Sequence, residues 1–133
     1  MPPAERERQS VPRRVLLVDD DHTVRETMMR LLDFDGHSLD GAAGAEEALA
    51  KFRKGRFDLV VLDLDMPGMR GDELALAIKK IAPEQPIVLL TAYGEMLNAM
   101  NEIPPGITRV FGKPFGFETV REALETIPPS PPA

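Results

Sequence analysis

The chain has 133 residues, 43% hydrophobic and 29% charged, a size and composition that suit one compact domain and leave no room for a second. Its formal net charge of -6 argues against nonspecific binding to nucleic acid or to an anionic membrane and favours cations and basic partners. Cysteine is absent, which excludes disulfides and thiolate metal centres, and no apolar run reaches membrane-spanning or signal-peptide length, so the expected location is the cytoplasm.

Residues 1–13 are polar and charged and carry three prolines, which predicts a disordered N-terminal tail, with Arg6 to Arg14 as a solvated run. The folded domain is expected over residues 14–127. Residues 128–133 read P-P-S-P-P-A and form a proline-rich C-terminal tail, either a frayed end or the start of a linker to a further domain.

Between the tails, strand-like and helix-like patterns alternate. Val15 to Val18 reads as a short buried strand, and Val24, Met28, Leu31 and Leu32 follow at the spacing of one helical face, closed by Gly36. His37 to Ala42 is a weaker strand, after which Ala45, Ala48, Leu49 and Phe52 mark a helix running to Gly55. Asp58 to Leu62 contains an unbroken apolar run that suits a strand buried on both faces of a parallel sheet. Asp72 then reads as the cap of a helix with Leu74, Ala75, Ile78, Ile81 and Ala82 inward, ended by Pro83 and Pro86. Ile87 to Leu90 is a fourth strand, and a helix with Met96, Leu97, Met100 and Ile103 should stop before Pro104. Thr108 to Phe111 is a fifth strand, and Val120, Ala123, Leu124 and Ile127 give the last helix. Five such pairs in succession predict an α/β fold: a doubly wound, five-stranded parallel sheet with helices on both faces.

A parallel sheet collects the carboxyl ends of its strands on one edge, where ligands bind in open α/β folds. That edge would hold Asp19, Asp20 and Asp21 from the first strand, Asp63 and Asp65 from the third, Thr91 from the fourth and Lys113, followed by Pro114, from the fifth. Asp21 is the natural cap of the following helix, which leaves two acids of the first strand for function. An isolated D-x-D such as Asp63 and Asp65 usually does no more than end a strand and solvate a loop. Gathered with the other acids, it forms a cluster whose repulsion is relieved by a raised pKa or a bound divalent cation, and oxygen-only ligands suit Mg²⁺ or Mn²⁺. A cation, the Lys113 ammonium and the Thr91 hydroxyl around a carboxylate nucleophile point to phosphoryl transfer onto Asp63. His22 and His37 read as surface residues, and Met66, Met69, Met96 and Met100 as packing and loop filler.

From Arg14 to about Ile127 the sequence resembles the receiver domain of two-component response regulators. The resemblance rests on V-L-L-V-D-D-D followed by Arg25, on L-V-V-L-D-L-D-M-P-G-M-R-G, on L-L-T-A-Y-G and on G-K-P-F. It implies a flavodoxin-like sheet with strand order 2-1-3-4-5. It also implies that Asp63 is the phosphoacceptor, that Asp20 and Asp63 ligate Mg²⁺ directly, Asp65 through its backbone carbonyl and Asp19 through water. Thr91 would turn toward the phosphoryl group and Lys113 pair with it, aimed by a cis Lys113-Pro114 bond. Asp65 and Tyr93 match positions that border the path of the attacking water. The implied function is a phosphorylation-controlled signalling switch. A sensor histidine kinase or a histidine phosphotransfer protein supplies the phosphoryl group, and a protein output target, a phosphorylation-dependent dimer or a further phosphotransfer reads it. Such a domain assists its own phosphorylation and dephosphorylation and is not a metabolic enzyme; direct nucleic-acid and membrane partners are not expected.

One position departs from the family. Three residues before the lysine, where receivers usually carry Tyr or Phe, this chain has Val110, and the neighbouring Phe111 falls on the opposite strand face. Two other functions compete. A phosphatase of the haloacid dehalogenase type also resembles a D-x-D after a buried strand, but it needs a downstream acidic pair, and Glu118, Glu122 and Glu125 all fall in a helix pattern. A receiver fold kept as a phosphorylation-independent protein-binding module is the other.

Overall fold

The computed structural model describes residues 12–92, 94–112, 121–122 and 124–125. Five strands, β1 (Arg14–Val18), β2 (Ser38–Ala42), β3 (Leu59–Asp63), β4 (Ile87–Thr91) and β5 (Arg109–Gly112), pair in parallel in the order β2-β1-β3-β4-β5. Every residue of β3 and β4 is buried, the outcome expected for Val- and Leu-rich runs covered by helices on both faces. The helices between them are α1 (His22–Phe34), α2 (Ala45–Lys51), α3 (Gly71–Ile81) and α4 (Gly94–Ala99), and Arg121, Glu122, Leu124 and Glu125 are also helical. Among the described residues no helix is long and apolar enough to cross a membrane.

Side-chain alternation along the strands divides the interior into two cores. On one face Leu16, Val18, Val60, Leu62, Leu89 and Val110 pack with Ala45 and Ala48 of α2 and Leu74 and Ile78 of α3. On the other, Val15, Leu17, Leu59, Val61, Val88 and Leu90 pack with Met28 and Leu32 of α1 and with Leu124, and Phe111 joins this side. Val110 and Phe111 thus face opposite cores, as their adjacency requires.

Several helix expectations need correction. Val24 and Leu31 of α1, Ile81 of α3, and Met96, Met100 and Ile103 around α4 are exposed, because a helix lying on a sheet buries only a narrow stripe and residues at the flanks of the apolar arc remain in water. Met96 and Met100 are therefore not packing residues, whereas Met66 is buried. Helix α4 stops at Ala99, short of Ile103, with Asn101 in the left-handed region at φ 57°. Helix α2 ends at Lys51, well before Gly55, because Phe52 turns extended and stacks its ring on Phe57 at 6.1 Å between centroids. Asp72 lies inside α3; the cap is Arg70, whose N–H donates to the Glu73 carboxylate at 3.3 Å. Asp21 does cap α1, accepting from Val24 N–H at 3.1 Å. The inward-facing positions expected at Val120, Ala123 and Ile127 and the tails over residues 1–11 and 128–133 lie outside the described residues.

The fold also takes in two residues expected in the solvated run. Arg14 opens β1 and its guanidinium holds Asp58 through Nε and Nη2 at 3.3 and 3.1 Å, clamping the starts of β1 and β3. Arg13 is buried, and its N–H donates to Nδ1 of His37 at 2.9 Å while its carbonyl accepts from Ser38 N–H at 2.9 Å. His37 is consequently a buried structural residue and not a surface one. Burial pushes its pKa below the ordinary 6.5; Asp35 opposes that shift, and Arg13 and Arg121 add to it. The unfolded chain therefore binds the proton more readily, and the stability that neutral His37 supports above about pH 6.5 is lost as the pH falls toward its folded pKa. The melting temperature should drop between pH 7.5 and 5.5 in the parent, and less in His37→Asn, whose amide oxygen offers Arg13 an acceptor that does not titrate; equal slopes would remove His37 from the account.

Candidate functional site

The register of the central strands sets the site. Val18 pairs with Leu62 and Asp63 with Leu90, so Asp19 just past β1, Asp63 ending β3 and Thr91 ending β4 emerge side by side at the carboxyl edge. One carboxylate oxygen from each of Asp19, Asp20 and Asp63 lies within 4.8 Å of the others. Asp19 and Asp63 are 2% and 3% exposed, Thr91 is fully buried, and Asp20 faces solvent. Two of the acids are therefore shielded from water, and the third stands in it. Asp65 stands exposed beyond Asp63. Gly112 pairs in register with Thr91, which brings the end of β5 to the same edge; Lys113, next in sequence, and Tyr93 fall outside the described residues.

Backbone bonds hold this edge in place. Pairing continues past β3, with Leu64 N–H donating to Leu90 at 2.9 Å, and Gly71 N–H returns to the Leu64 carbonyl at 3.0 Å after Gly68 reverses the loop at φ 79°. The first residue of α3, Gly71, lies directly on the Asp63 carbonyl, a contact only glycine permits. Asp19 is anchored by its own N–H to the Ala42 carbonyl at 3.1 Å, and its carboxylate accepts from Asp21 N–H at 2.9 Å. The Arg25 guanidinium donates to the Asp19 carbonyl at 2.6 Å. Sequence reasoning assigned no role to Gly71 or Arg25. Both stood inside the quoted motifs, but what each touches depends on chain reversals that spacing does not encode.

Three carboxylates this close repel one another, and with no His or Cys among them they form a hard, oxygen-only donor set of the kind that holds Mg²⁺. The residues present fit such a cation.

The family model for the response regulator receiver domain matches residues 15–125. The chain belongs to this family. Receivers are signalling modules of two-component systems, and the strand order and acidic edge agree with that membership. Response regulator MprA of Mycolicibacterium vanbaalenii is 36% identical over 117 residues, 88% of this chain and 51% of the relative, so the chain spans about half the length of that protein. Sporulation initiation phosphotransferase F of Bacillus subtilis is 32% identical over 112 residues, 84% of this chain and 90% of the relative. Among solved structures, response regulator TrrA of Thermotoga maritima, in complex with Mg²⁺ and BeF, superposes with a TM-score of 0.75 at 35% identity, covering 86% of this chain and 98% of that one. The haloacid dehalogenase alternative is set aside by this membership, and Glu122 and Glu125 are indeed helical. Val110 is buried among the side chains that face α2 and α3.

Proposed function

We propose that this receiver is a phosphorylation-controlled switch whose phosphoacceptor is Asp63. The observation that carries the reading is the convergence of Asp19, Asp20 and Asp63 within 4.8 Å beside the buried end of β4 at Thr91. A carboxylate oxygen of Asp63 attacks the phosphorus of a phosphohistidine on a sensor kinase or histidine phosphotransfer protein. The phosphorus–nitrogen bond breaks, its electron pair returns to the imidazole, and an acyl phosphate forms on Asp63. Asp19, Asp20 and Asp63 would hold the divalent cation, with Asp65 contributing its backbone carbonyl. When bound, Mg²⁺, or Mn²⁺ with the same oxygen preference, supplies positive charge to the carboxylates and the transferring phosphoryl oxygens. Thr91 orients a phosphoryl oxygen through its hydroxyl, and Lys113 neutralises another. The acyl phosphate then shifts a two-state equilibrium read by a protein target, a second receiver or a further phosphotransfer step in the cytoplasm. With Val110 in place of a ring, the readout has no large side chain to swing, which puts it in the backbone after Thr91 and in α4.

Incubation of the full chain with acetyl phosphate and Mg²⁺, followed by intact mass measurement, should add the mass of one phosphoryl group, and excess EDTA should prevent it. A mass that stays unchanged with Mg²⁺ present would instead support a phosphorylation-independent binding module.

A further inference from the structure

We infer that Arg25 is a positioning residue for the divalent cation, acting through the main chain of Asp19; the inference rests on the metal-site reading above. The Arg25 side chain runs back from α1 so that one terminal nitrogen donates to the Asp19 carbonyl at 2.6 Å, and the other lies 3.1 Å from Nδ1 of His22. That carbonyl belongs to the peptide plane joining Asp19 to Asp20. Because the peptide is rigid and planar, fixing its oxygen fixes the direction in which the chain enters Asp20, and with it the relation between the two carboxylates. The Asp19 N–H to Ala42 and its carboxylate to Asp21 N–H hold the residue at other atoms, while Arg25 acts on the carbonyl itself.

The neighbouring strand is shaped for the same contact. Gly41 of β2 sits where a Cβ would come 2.7 Å from the Met29 sulfur and 3.4 Å from Cδ of Arg25, so the absence of a side chain there leaves the passage through which the Arg25 stem reaches Asp19. Lys51 Nζ donates to the Gly41 carbonyl at 2.6 Å and pairs with Glu47 at 3.2 Å, bracing this end of β2 on its far side.

Charge and geometry make opposite demands, which gives the inference a sign. Were Arg25 present only to offset the three carboxylates, it would compete with the cation, and its removal would tighten Mg²⁺ binding. If it orients the ligands, its removal weakens binding, and loss of a partner that orients metal ligands typically costs ~10–100-fold in affinity. The guanidinium is committed to the Asp19 carbonyl and to His22 at a partly exposed position, where a high effective dielectric weakens its repulsion of the cation, so orientation outweighs repulsion.

The test is Mg²⁺ titration of the full chain, read as the dissociation constant from the shift in melting temperature. Arg25→Met should weaken Mg²⁺ by about tenfold, and Arg25→Lys, which keeps the charge and one donor, should recover most of it. Gly41→Ala, which keeps Arg25 but crowds its passage, should weaken binding by a smaller factor. A purely structural role would lower the metal-free melting temperature of Arg25→Met while leaving its dissociation constant at the parent value, and that result overturns the inference, as does tighter binding. A parent chain that shows no Mg²⁺ dependence at all overturns the metal-site reading as well; a parent that binds alongside an equally good Arg25→Met overturns this inference alone.

Discussion

Asp63→Asn should take up no phosphoryl group from acetyl phosphate and, in EDTA, should melt at a higher temperature than the parent. The first result follows from replacing the carboxylate that ends the fully buried strand β3 with an amide that cannot form an acyl phosphate. The second follows from repulsion: Asp63 is buried with carboxylate oxygens of Asp19 and Asp20 within 4.8 Å, and the amide keeps the shape while removing one of the charges. Two unit charges about 5 Å apart at an effective dielectric of about 20 repel by about 3 kcal/mol, and Asp63 has both Asp19 and Asp20 as such neighbours, so the gain is on the order of a few kcal/mol. Mg²⁺ should narrow the difference, because it stabilises the parent by about 2.7 kcal/mol at a hundred times its dissociation constant and the variant by less. Intact mass and paired melting curves with and without Mg²⁺ give both answers. Stoichiometric labelling of the variant would place the acceptor elsewhere, and a lower melting temperature in EDTA would show that repulsion does not dominate at this edge.

Gly71→Ala should destabilise the fold by about 3 kcal/mol, near the upper end of the ordinary cost of overpacking. A Cβ at this first residue of α3 would collide with the Asp63 carbonyl oxygen and come within 3.0 Å of the Asp63 carbonyl carbon and of Leu64 Cα. All three are backbone atoms, and they cannot move aside because Leu64 N–H is bonded to Leu90 and Gly71 N–H to Leu64. Either α3 lifts away or the end of β3 shifts. The melting temperature should fall by about 10 °C, and the surviving folded protein should phosphorylate more slowly because Asp63 is displaced with its carbonyl. Gly44→Ala is the control: nothing lies within 4 Å of its added methyl, so it should lose only the N-cap preference for Gly ahead of α2, about 1 kcal/mol. Parent-like melting of Gly71→Ala would mean that the helix start yields without cost.

The fold was legible because two kinds of pattern repeat in order along the chain. Leu59 to Leu62 and Ile87 to Leu90 are apolar without alternation, which only a strand covered on both faces tolerates, and the stretches between them carry helical spacing. The same alternation rule placed Val110 and Phe111 on opposite faces with no knowledge of what those faces touch. Site residues were legible for a related reason: in a parallel sheet every strand ends on one edge, so Asp19, Asp63 and Thr91 had to meet once the strands were recognised.

The order of elements, the faces of the strands and the acids gathered at the carboxyl edge were readable from the residues because they depend on local periodicity and on the polarity of a parallel sheet. The tertiary structure alone decided which flank of each helix stays wet, as at Leu31, Ile81 and Met96, since the width of the buried stripe is set by how closely a helix lies on the sheet. It also decided that His37 and Arg13 are sealed beneath the sheet edge, that Gly71 rests on Asp63, and that Arg25 reaches the Asp19 carbonyl. Each of these contacts joins residues across a chain reversal or between different elements, and its existence depends on where folding places backbone atoms that carry no mark in the sequence.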